Sequence, residues 1–107
     1  MMKVKWTLLA KDGLREIANY IKKNFGAQAR MDFLHDVKHT NKLLGSQPYM
    51  GPIELTLDGH PEGFRSIVVH KLSKIIYYID NDHIEVADFW NCRQAPENLA
   101  NRIKTQC

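Results

Sequence analysis

Arginine, lysine and histidine side chains have the chemistry to act on a phosphate, and Arg65, His70, Lys71, Lys74 and Arg93 are among those of this sequence. An arginine fork can hold two phosphate oxygens at once through parallel N–H donors. A histidine titrates near neutrality without help, and a lysine crowded by other cations has its pKa pulled down towards that of a base. In strand register Arg65 and Lys71 share one face while His70 takes the other. Lys74 opens the following segment and meets Lys71 across a short hairpin. Arg93 lies in "DFWNCRQAP", where an apolar Phe-Trp pair gives way to a polar loop before Pro96. A strand end on one side and a helix start on the other would hold its guanidinium rigidly, as a phosphate-gripping group requires.

Each of these residues also has a plainer reading. Arg65 can pair with Glu54 or Asp88 across a sheet, and Arg93 with Asp88 or Glu97. Lysines beside hairpin turns are routine, and a lone strand-end histidine is more often a surface residue than a base. Metal chemistry has little support. Of five histidines only His35 and His39 stand at ligand-like spacing, and no glutamate lies between them as a hydrolytic zinc helix needs. Cys92 neighbours Arg93 but has no histidine near it in sequence to act as its base. No metal or cofactor is therefore expected, and there is no glycine-rich phosphate loop.

The elements that position these groups are legible in the periodicity. "KVKWTLL" alternates Val4, Trp6 and Leu8 against Lys3, Lys5 and Thr7, the period of a half-buried strand. Leu14, Ile17, Ala18, Ile21 and Phe25 recur at helical spacing from about Ala10, ending at Gly26 with a left-handed cap. Phe33, Leu34, Val37 and Leu44 mark a second helix from about Ala27 to Leu44, so the two form an antiparallel hairpin. "GSQPYMGP" is loop, with two prolines and two glycines in eight residues. "IELTL" is a short strand, "FRSIVVHK" and "KIIYYID" form a β-hairpin, and "HIEVADFW" completes a meander. Ile75, Tyr77 and Ile79 face opposite to Ile76 and Tyr78, so that strand needs cover on both sides and is central. Pro96 opens a final helix carrying Leu99, Ala100 and Ile103 on one face. The expected fold is α+β: an N-terminal strand, a two-helix hairpin, a twisted antiparallel sheet and a C-terminal helix, in one domain over residues 1–107.

Composition narrows the class of partner. The 107 residues suffice for one core, and no apolar run approaches the roughly 20 residues of a membrane helix. The opening residues are too polar for a signal peptide, and Cys92 with Cys107 makes no disulfide framework, so a cytoplasmic protein with reduced thiols and no membrane partner is expected. Residues 1–50 carry nine Lys/Arg against four Asp/Glu, and residues 51–107 six against eight, balances of +5 and −2. The basic half suits an acidic partner, either nucleic acid or protein, unless it is simply a solvated helix face.

"WTLLAKDGLREIANYI", "PYMG" before a strand, "FRSIVVHKLSKIIYYIDNDHIEV" and "DFWNCRQAP" together resemble the RelE/ParE superfamily of bacterial type II toxin–antitoxin toxins. The resemblance spans nearly the whole chain. It implies a compact toxin neutralised by a cognate antitoxin, an extended or helical segment of which wraps the toxin. RelE-like members cleave messenger RNA on the ribosome without metal, using Lys, Arg, His, Glu or Tyr side chains on the sheet and near the C-terminus. ParE-like members instead inhibit DNA gyrase and are not known as nucleases. The resemblance makes Arg65, His70, Lys71, Lys74 and Arg93 the catalytic candidates and messenger-RNA cleavage the expected activity. After Arg93, however, no tyrosine or histidine follows, and "NRIKTQC" supplies only Arg102 and Lys104. Gyrase inhibition, or a degenerate relative that only binds its antitoxin, is the alternative; homodimerisation of the free toxin is a further open point.

Overall fold

The computed structural model describes residues 1–54, 57, 63–70 and 73–91. Within them lie strand β1 (Lys3–Trp6), helix α1 (Leu8–Phe25), helix α2 (Ala27–Ser46) and strands β2 (Arg65–Val69), β3 (Ser73–Asp80) and β4 (His83–Asn91). The expected helix after Pro96, together with Lys71, Cys92 and Arg93, falls outside the described residues.

Local chemistry accounts for the element ends. Thr7 caps α1, its hydroxyl accepting from the Ala10 amide at 3.1 Å and donating to the Ala87 carbonyl at 2.9 Å. The helix therefore starts two residues earlier than its apolar stripe indicates. Gly26 separates the helices with φ 98° and ψ 172°. That is a glycine-only conformation, extended in ψ rather than the left-handed cap the spacing suggests.

The sheet order is β1-β4-β3-β2. The β2–β3–β4 meander is antiparallel, as the hairpin spacing predicts, and β3 is an interior strand. β1, however, pairs parallel with β4, Val4 opposite Ile84 and Trp6 opposite Val86, so the sheet is mixed rather than wholly antiparallel. Alternation in "KVKW" fixes which side is buried but not strand direction. Direction depends on where the helical hairpin returns the chain, and β1 joins the outer edge of β4 instead of pairing with a sequence neighbour.

One face of the sheet is covered by both helices. Ala10, Ile21, Phe33, Leu44, Ile75, Tyr77, Ile84 and Phe89 are among the buried residues there. Trp6 stacks on Phe89 with ring centroids 5.8 Å apart, and Phe33 meets the same ring edge-on at 5.9 Å. The other face carries a smaller cluster, Leu57, Phe64, Ile76, Ala87 and Trp90. A register shift at Ile76/Tyr77 leaves Ala87 as an extra residue in β4. α1 lies close against β4: a Cβ built on Gly13 would stand 2.4 Å from the Phe89 carbonyl oxygen. Glycine lowers helix propensity, yet Gly13 is what lets helix and strand backbones touch.

Candidate functional site

Arg65 opens β2 opposite Tyr77, on the helix-covered face. Its Nη1 donates to the Gly51 carbonyl at 2.8 Å, and its guanidinium carbon lies 5.0 Å from the centroid of the Tyr49 ring. Directly across, the Tyr77 hydroxyl donates to the Pro48 carbonyl at 2.8 Å and accepts from the Gly51 amide at 3.1 Å. Burial pushes the Tyr77 phenol above its ordinary value of 10.0, and the Gly51 hydrogen bond and the Arg65 charge only partly oppose that. Arg65 and Tyr77 thus pin the loop of residues 48–51 from two adjacent strands. Of the two acids that sequence offers to Arg65, Glu54 pairs with Lys74, and Asp88 Oδ1 accepts from the Phe89 amide.

Lys74 sits on the opposite face of the sheet, in register with Val68 and Trp90. Its Nζ lies 2.7 Å from Glu54 Oε2, with the two side chains 21% and 10% exposed. His70 does not continue β2. With φ 55° the chain turns at this residue, and the ring leaves the strand alternation for the helix layer. There Nδ1 lies 3.1 Å from Asp36 Oδ2 and the ring meets Phe33 edge-on, centroids 5.5 Å apart. Three of the five candidates are therefore dispersed rather than convergent: Arg65 and Lys74 on opposite faces, and His70 against α2. The β2–β3 register separates Arg65 from Lys74: Arg65 pairs with Tyr77, three residues beyond Lys74, so the two take opposite faces. Lys71 and Arg93 lie outside the described residues, as does the polar loop around Arg93.

The sheet also collects groups that sequence spacing does not reveal. Away from the helices, Lys5, Glu85 and Tyr78 occupy one row across β1, β4 and β3, and Lys3, His83 and Asp80 the next. The His83 ring lies between carboxylates, Nε2 3.1 Å from Glu85 Oε2 and Nδ1 3.6 Å from Asp82 Oδ1. Lys3 and Lys5 each stand 80 positions from their partners His83 and Glu85 in the chain, and the parallel β1–β4 pairing joins them. The exposed lysines of the helices, Lys22, Lys23, Lys38 and Lys42, have no ion-pair partner among the described residues. No group of three or more potential metal ligands occurs among the described residues, and no helix there is long and apolar enough to cross a membrane.

The fold is thus a paired-helix layer on a small mixed sheet, with a tightly pinned loop before the meander, and the family it belongs to is that of a type II toxin–antitoxin toxin. The chain belongs to the ParE family: the model of the ParE toxin of the type II system parDE matches residues 4–96. A solved structure, "Chromosomal ParDE TA system from P. aeruginosa", is similar in fold, with a TM-score of 0.69 at 17% identity. That match covers 85% of this chain and 96% of the other. No curated protein matches the chain.

Proposed function

We propose that this chain is a toxin that acts by binding, an inhibitor of DNA gyrase held inactive by a cognate antitoxin. One observation carries the preference over messenger-RNA cleavage: Arg65, His70 and Lys74 each serve an internal contact, on two faces of the sheet. Metal-free RNA cleavage needs a base, an acid and a charge-stabilising group within reach of one phosphate. Three groups that face apart do not meet that need. Membership of the ParE rather than the RelE branch points the same way. The exposed helical lysines suit an acidic antitoxin segment.

A nuclease reading keeps one observation of its own. The His83–Glu85 pair stands in register with Lys3 and Lys5, so an acid–base pair and two cations share the helix-free face. Expression in a bacterial host separates the two. The gyrase reading expects growth arrest with filamentation, uncut transcripts, and inhibition of supercoiling by the purified chain that added antitoxin reverses. Mapped transcript ends showing cleavage, abolished by His83→Ala, would replace it with the nuclease reading. Normal growth would leave a chain that only binds its antitoxin.

A further inference from the structure

We infer that the loop of residues 48–53 is the surface by which this toxin grips its protein target, presenting Tyr49, Met50 and Ile53 to an apolar crevice bordered by a carboxylate. The inference rests on the proposed binding mode of action, since a toxin without a reaction to perform must inhibit by occupancy, and occupancy needs a surface worth desolvating.

Three observations select this loop. Tyr49, Met50 and Ile53 are 69%, 41% and 44% exposed, and no other five-residue stretch among the described residues exposes three large apolar side chains. The backbone beneath them is fixed. The Met50 amide bonds to the Gln47 carbonyl, Tyr77 and Arg65 hold Pro48 and Gly51, the Ser66 amide bonds to Pro52, and the Glu54 amide to Phe64. Gly51 lies so close to β2 that a Cβ there would stand 2.6 Å from the Ser66 carbonyl oxygen. A loop this constrained has lost most of its entropy before any partner arrives, so its exposed side chains bind at reduced cost.

The third observation names the partner's chemistry. Arg65 makes one hydrogen bond among the described residues, through Nη1, while its charge is held over the Tyr49 ring. A guanidinium has five N–H donors, so the others suit a carboxylate next to the apolar contact. Tyrosine, methionine and arginine are also the residue types enriched where protein interfaces concentrate their affinity. The exposed apolar side chains beside the helical lysines, Tyr20, Phe25, Met31 and Leu43, are by contrast spread along two helices, which fits an extended acidic antitoxin segment better than a rigid target crevice.

The test uses the full chain with Tyr49→Ala and Met50→Ser, neither of which removes a bond that pins the loop, and Val68→Ala as a control at another exposed apolar residue. Supercoiling inhibition by purified gyrase, affinity for the cognate antitoxin and melting temperature are measured on each. The loop substitutions are expected to weaken inhibition by about tenfold or more, with antitoxin affinity and melting temperature close to wild type and Val68→Ala unchanged. Undiminished inhibition overturns the inference, and so does a parallel loss of antitoxin binding, which would assign the loop to the antitoxin. If the wild type arrests growth without inhibiting gyrase, the gyrase reading fails by itself. The loop inference then stands if Tyr49→Ala abolishes arrest with antitoxin binding intact, and falls if arrest persists. A wild-type chain that does neither overturns both.

Discussion

At the scale of the residue, Tyr77 connects the core to the surface. Its ring is buried in the helix-covered core, and its hydroxyl ties Pro48 and Gly51 to the sheet. Tyr77→Phe keeps the packing but removes both hydrogen bonds, leaving two loop groups short of a partner. The expected cost is about 1–3 kcal/mol in urea denaturation. The same phenol makes stability depend on pH at the alkaline end. Its folded-state pKa is raised above the unfolded value near 10, so the unfolded chain releases that proton first. The contribution is whole below pH 10 and is lost as pH rises through the folded value. The stability gap between wild type and Tyr77→Phe should therefore narrow above pH 10; a gap that widens there would contradict the assignment. Lys74 gives a second residue-scale expectation. Lys74→Met takes from the buried Glu54 carboxylate its 2.7 Å ion pair with a partly exposed lysine, at an expected cost of about 1–3 kcal/mol by thermal melting.

At the scale of the element, the contact between α1 and β4 decides whether the layers close. Gly13 costs the helix about 1 kcal/mol relative to alanine on propensity alone. A Cβ there would nonetheless strike the Phe89 carbonyl. Gly13→Ala should therefore destabilise the protein by about 1–3 kcal/mol despite improving the isolated helix, as measured by chemical denaturation. An increase in stability would mean that α1 can ride further from the strand without loss. The helices, the meander and its central strand follow from periodicity and turn chemistry, which are local. The parallel direction of β1 does not, because Val4 and Trp6 alternate identically in either direction. The turn at His70 was hidden for a related reason. A histidine with positive φ is uncommon, and its supports, Asp36 and Phe33, lie on a helix more than thirty residues earlier.

At the scale of the whole molecule, the excess of positive charge and the apolar loop lie on different elements. Residues 1–50 hold the excess of +5, much of it on the exposed faces of the helices, whereas the loop of residues 48–53 is apolar around one shared guanidinium. Raising salt from physiological strength to about 1 M shortens the Debye length from about 8 Å to about 3 Å. Antitoxin binding through the helical lysines should weaken several-fold over that range in calorimetric titration, while binding through the loop changes much less. A salt-independent antitoxin affinity would remove the lysines from that interface.

The sequence by itself determined the α+β class, the helical hairpin, the meander and the resemblance to the RelE/ParE toxins, because each rests on patterns within a few turns or strands. Only the tertiary structure decided which charges share a face. Strand parity across the β2–β3 hairpin set Arg65 against Lys74, and the parallel entry of β1 brought Lys3 and Lys5 beside His83 and Glu85. Spacing along a chain specifies a side chain's phase within its own element. Which phases meet depends on strand order and direction, and those are fixed by the packing of the whole chain.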